Sequence, residues 1–73
     1  NGGKMKNKIR ELRKKRNMTQ EQLSQLVGVS RQSIIAIETG KYNPSLELAY
    51  NIAKQFNRSI EEVFIFSEES EQK

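Results

Sequence analysis

The chain has no cysteine and no histidine. Without thiols there is no disulfide framework and no thiolate metal site, and without imidazole the commonest general base and metal ligand is missing. Aspartate is absent as well, all nine acidic residues being glutamate, and no glycine-rich phosphate cradle occurs. The adjacent Glu61 and Glu62 face different ways on a helix, so they do not form an acid and base pair. Catalysis therefore lacks its parts, and no enzyme activity, metal, cofactor or small-molecule ligand is expected. Apolar runs reach only four residues, far short of the roughly 20 that span a bilayer, and the N-terminus lacks the apolar stretch of a signal peptide. A soluble, cytoplasmic protein is the expectation.

What is present is a chain of 73 residues, 34% hydrophobic. That suffices for one small domain, which buries only about 60% of its unfolded surface and would gain from a partner subunit. Residues 1–4 read as an expression-vector remnant before a plausible initiator, Met5; residues 5–66 read as the domain and residues 67–73 as a solvating acidic tail. Charge is unevenly divided. Residues 1–58 carry twelve Lys or Arg against four Glu, net +8, whereas residues 59–73 carry one Lys against five Glu, net −4. A basic body suggests a polyanionic partner, nucleic acid before membrane. The alternative is that "KNKIRELRKKR" is a solvated helix face.

Helical spacing of Ile9 and Leu12, with Met5 ahead of them, predicts a first helix from Lys6 to Arg16, stopped by Asn17 in a left-handed conformation. Thr19 and Gln22 form a capping box for a second helix from Gln20 to Val27, with Leu23, Leu26 and Val27 inward, and Gly28 ends it. Ser30 caps a third helix with Ile34 and Ile37 inward, and Gly40 stops that one. "KYNP" is a turn, after which Ser45 caps a fourth helix from about Leu46 to Phe56, burying Ala49, Ile52, Ala53 and Phe56. Asn57 ends it. Ser59 with Glu62 is a second capping box, opening a short fifth helix with Ile60, Val63 and Phe64 inward. The fold class is thus all-α, a bundle of about five helices, with "VFIF" ambiguous between helix and a short C-terminal strand.

Only Gly28, Val29 and Ser30 separate the second and third helices, which is the length and composition of a helix-turn-helix whose second member enters the DNA major groove. "MTQEQLSQLVGVSRQSIIAIETGKYNPSLELAYNIAKQF" resembles the lambda-repressor-like DNA-binding domain of the Cro/CI, or XRE, family of transcription regulators. The resemblance extends over about residues 6 to 64. It implies a recognition helix over 30–39 in a regulator, a repressor by expectation, that binds a two-fold symmetric operator in double-stranded DNA as a homodimer.

A helix capped at Ser30 and packed through Ile34 and Ile37 turns Arg31, Gln32, Ile35 and Ala36 the other way. Arg31 can reach guanine O6 and N7, and Gln32 adenine N6 and N7; Ile35 and Ala36 offer apolar contact, for instance to a thymine methyl. The family's position of Ile35 is often polar, and an isoleucine there can equally serve packing within the chain. Ser30, Ser33 and Gln20 are candidate phosphate ligands. By resemblance the loop after the recognition helix, Lys41, Tyr42 and Asn43, also touches the DNA backbone. Ser30 is a cap in any case, and Tyr42 is as well suited to packing. The resemblance further pairs Arg13 with Glu38 in a structural ion pair.

The run Phe64, Ile65 and Phe66 supplies the candidate dimer contact, since Ile65 and Phe66 are consecutive large apolar groups at the edge of a small domain. A two-fold contact would set the recognition helices about 34 Å apart, one DNA turn. In the competing arrangement Phe66 folds back over the first helix near Met5. Two other functions are open to the same residues. An antitoxin or adaptor would use this fold mainly to hold another protein, and would not require Arg31 and Gln32. A membrane-surface helix over residues 6–16 conflicts with Ile9 and Leu12 being needed in the core, so no membrane partner is expected.

Overall fold

The computed structural model describes residues 6–65. Five helices follow one another, α1 (Ile9–Lys15), α2 (Gln20–Val27), α3 (Arg31–Glu38), α4 (Leu46–Gln55) and α5 (Ile60–Val63), between two short strands, β1 (Lys6–Asn7) and β2 (Phe64–Ile65). The strands pair antiparallel, Lys6 opposite Ile65 and Asn7 opposite Phe64.

Local chemistry sets the helix boundaries. Thr19, Ser30, Ser45 and Ser59 are extended N-caps, and each hydroxyl accepts the backbone N–H three residues on, at Gln22, Ser33, Leu48 and Glu62. At Thr19 and Ser59 the box is complete, because the Gln22 and Glu62 side chains accept the cap residue's own N–H at 2.8 Å. The first four helices end alike. Asn17, Gly28, Gly40 and Asn57 are left-handed, with φ of 54°, 78°, 80° and 57°. The following residue in each case donates its N–H to the carbonyl five residues back: Met18 to Arg13, Val29 to Ser24, Lys41 to Ala36 and Arg58 to Ala53. These bonds satisfy carbonyls that a helix end otherwise orphans.

The core consists of Ile9, Leu23, Ile34, Ile37, Ala49, Ile52, Ala53, Phe56, Val63 and Phe64, all buried, with Leu12, Met18, Val27, Val29, Leu48 and Ile60 packed around it. Each fully buried large side chain contributes about 1.5–3 kcal/mol of transfer free energy. In a domain this small, each is a sizeable fraction of the total stability.

Three expectations need correction. The first helix begins at Ile9 and not at Lys6, because Lys6 and Asn7 are claimed by pairing with β2. Leu26 is 54% exposed. The inward face of α2 passes through Leu23, Ser24 and Val27, and Ser24 is buried with its hydroxyl donating to the Glu21 carbonyl at 2.7 Å. Hydrophobicity alone cannot foresee a buried serine that satisfies itself locally. Finally, α5 stops at Val63, and Phe64 turns extended with φ −109° and ψ 125°, so the ambiguous run resolves as a strand from Phe64.

Candidate nucleic-acid interface

The α2–turn–α3 unit carries the site. Gly28 has open space where a side chain would begin, so its glycine serves the positive φ of 78° rather than a close contact. Val29 packs against the core, and Ser30 caps α3. The Ser30 and Ser33 hydroxyls also lie 3.1 Å apart. Burial of Ile34 and Ile37 fixes the rotation of α3 about its axis. Arg31 and Gln32 are therefore exposed in its first turn, with no side-chain hydrogen-bond partner among the described residues, while Ile35 and Ala36 are half-buried further along. Lys41, Tyr42 and Asn43 form an exposed loop directly after α3, where the Ala36 carbonyl accepts the N–H groups of Lys41 and Tyr42.

The C-terminal end of α3 is held from two other helices. Arg13 of α1 donates to Glu38 through Nε at 2.6 Å and Nη2 at 3.2 Å, and its Nη1 donates to the Met18 carbonyl at 2.8 Å. The two side chains are 10% and 6% exposed. Gln20 Nε2 donates to Glu38 Oε1 at 3.1 Å, so this candidate phosphate ligand gives one of its two amide N–H groups to the ion pair. A glutamate at a helix C-terminus opposes the helix dipole. The bidentate guanidinium offsets that charge and ties α3 to α1.

Beside this network lies an open hollow lined by Arg10, Lys14, Gln20, Arg31 and Thr39, with the Arg13 and Glu38 pair within it. Glu21 also faces it, bonded to Gln25 Nε2 at 3.1 Å. Leaving out the self-neutralised pair, three cations face one carboxylate there. In the sequence, Arg10 and Lys14 sit in a run of basic residues with no internal distinction. Their four-residue spacing, which stacks them on one helix face, was the available signal.

Two of the three candidate dimer residues lie within the described residues, and they differ in exposure. Phe64 is 1% exposed in the core of its own chain and offers no surface to a second copy, a correction to its place in the contact. Ile65 is half-buried at the strand edge, and Phe66 lies outside the described residues. Large apolar groups are exposed elsewhere: Leu46 and Tyr50, one turn apart on α4, are 77% and 53% exposed. Among the described residues no helix is long and apolar enough to cross a membrane, and no group of three or more acidic side chains could hold a metal.

A helix-turn-helix whose capped second helix is apolar behind and carries exposed polar groups in its first turn has the form of a DNA-binding domain. The helix-turn-helix family model HTH_3 matches residues 9–63, and the chain belongs to that family, the XRE or Cro/CI group of transcription regulators. An uncharacterized HTH-type transcriptional regulator of Archaeoglobus fulgidus is 58% identical over 65 residues, covering 89% of this chain and 92% of that protein. Among solved structures, the restriction-modification controller protein C.AhdI from Aeromonas hydrophila superposes with a TM-score of 0.70 at 31% identity, over 75% of this chain and 83% of the other. The DNA-binding domain of the P22 c2 repressor gives 0.69 at 31% identity, over 74% and 71%. The chain is thus an HTH-type transcriptional regulator with a DNA-binding domain, and its family is one of regulators, not enzymes.

Proposed function

We propose that the chain is a cytoplasmic repressor that binds a two-fold symmetric operator as a homodimer, reading bases with the first turn of α3. The observation that carries this reading is the position of Arg31 and Gln32. They are exposed, lack side-chain partners among the described residues and sit opposite the buried Ile34 and Ile37. Neither the cap nor the core requires them. Arg31 takes a guanine and Gln32 an adenine, with Ile35 and Ala36 giving apolar contact at the groove wall. Ser30, Ser33, Gln20, Lys41, Tyr42 and Asn43 position the phosphate backbone, as do Arg10 and Lys14 from the hollow beside α3. Gln20 keeps a second amide N–H for this purpose while bonded to Glu38. The repressor role is supported by likeness to the P22 c2 repressor, a protein named for repression. The homodimer contact is assigned to Ile65 and Phe66.

Selection of bound fragments from random duplex DNA tests binding, sequence and symmetry together. On the selected site, Arg31→Ala should cost about 1–3 kcal/mol and flatten preference at one base pair per half-site, whereas Lys41→Ala should weaken all sequences alike and lower the salt slope by about 1. Equal loss of specific and random binding in Arg31→Ala would make Arg31 a phosphate contact instead.

A further inference from the structure

The first helix is the exception to the hydroxyl caps. Its N-cap residue, Lys8, makes no side-chain cap bond. The neighbouring Asn7 does this work, its Oδ1 accepting the Ile9 N–H at 3.1 Å. The other half of the same amide reaches thirty residues along the chain: Nδ2 donates to the Ile37 carbonyl at 2.9 Å. That carbonyl, in the last turn of α3, also accepts the Gly40 N–H at 3.0 Å. Meanwhile the backbone of Asn7 is paired with Phe64 in the sheet. One half-buried side chain thus joins the start of α1, the β1–β2 sheet and the end of α3.

The position of that joint matters because α3 is a lever. Apolar packing of Ile34 and Ile37 is non-directional, whereas a hydrogen bond near 2.9 Å fixes direction. From Ile37 to Arg31 the helix rises about 9 Å, so a tilt of about 10° at the joint moves Arg31 by about 1.5 Å. A reading side chain tolerates displacements of only about 0.5 Å. The carboxylate of Glu38, bonded to Arg13 and Gln20, holds the same turn from the side of α1 and α2. Asn7 holds it from the sheet.

We infer that Asn7 is a positioning residue for DNA reading, setting the angle at which α3 presents Arg31 and Gln32. This rests on the reading of α3 as the recognition helix. Asn7→Asp keeps the acceptor for Ile9 and removes the donor to Ile37, and Asn7→Ser is an uncharged variant too short to span to that carbonyl. Both are compared with the unaltered 73-residue chain for affinity to a selected operator duplex and to a scrambled duplex of the same length. Circular dichroism sets a temperature at which every form is folded. Operator affinity should fall about tenfold in both variants, the scale of one lost base contact, with scrambled-duplex affinity held within about twofold. An unchanged operator-to-scrambled ratio in the variants, whatever their melting temperatures, overturns the positioning role and leaves α3 as the reader. No duplex preference in the unaltered chain overturns the reading of α3 and the role of Asn7 with it.

Discussion

Removal of the Arg13 guanidinium breaks three hydrogen bonds at once and strips the buried Glu38 carboxylate of its counter-charge. In Arg13→Ala the Glu38 carboxylate, 6% exposed, loses two of its three hydrogen bonds and keeps only Gln20 Nε2. The Met18 carbonyl loses its bond from Nη1 as well. Breaking a buried pair from one side costs about 3–5 kcal/mol, most of it the uncompensated charge. At about 0.05–0.15 kcal/mol per residue a 73-residue domain holds roughly 4–11 kcal/mol in total, so the variant forfeits from a quarter of its stability to all of it. With a urea slope near 1 kcal/mol/M, the midpoint should fall by about 3 M or more, or the variant should be unfolded in buffer. Helicity followed through a urea titration measures this directly. Arg13→Ala with Glu38→Gln should recover a substantial part, since an amide can be buried where a lone carboxylate cannot, and replacing both by Met and Leu should come close to neutral. A midpoint for Arg13→Ala within about 0.5 M of the unaltered chain would refute the reasoning, because it would mean that water solvates Glu38 as soon as Arg13 leaves.

The remaining predictions concern DNA and assembly. Arg10→Gln with Lys14→Gln should reduce the slope of log affinity against log salt by about 2 per protomer while leaving base preference intact, as read from titrations at several salt concentrations. An unchanged slope would take both residues off the phosphate backbone. Phe66→Glu should give a helical monomer in sedimentation that binds single half-sites and gains no cooperativity on the full operator. If it stays dimeric, the contact belongs to the exposed α4 face of Leu46 and Tyr50.

Most helix boundaries were legible because they are written within four or five residues. A serine or threonine begins α2, α3, α4 and α5, and a left-handed Asn or Gly follows each of the first four helices. What was not legible is non-local or depends on which side a neighbour approaches. The strand at Lys6 and Asn7 exists only because Phe64 and Ile65 arrive beside it, so a helical pattern through Ile9 and Leu12 ran on too far towards the N-terminus. Leu26 and Ser24 exchanged places because period counting weighs polarity and cannot see that Ser24 bonds its own helix. The site divides in the same way. Arg31 and Gln32 stand out locally as polar groups that neither cap nor core needs. The partner of Arg13 is 25 residues away and came from family resemblance, while Asn7 gave no sequence signal, being one polar residue among lysines.

The antiparallel pairing of Lys6 with Ile65 places the first and last described residues side by side, about 5 Å apart between Cα atoms. The domain is therefore a nearly closed ring with a single doorway. A two-residue turn of the Asn-Gly kind could bridge the strands, and the ring could then be reopened at the exposed loop of Lys41, Tyr42 and Asn43 to give a circular permutant. The same geometry suits the domain to insertion into a surface loop of a host protein, since both junctions leave from one point. A load applied at Lys6 or Ile65 arrives at the sheet, which Asn7 ties to the end of α3 opposite Arg31 and Gln32. On the proposed reading of α3, a tag or host that twists the doorway alters DNA recognition without touching DNA.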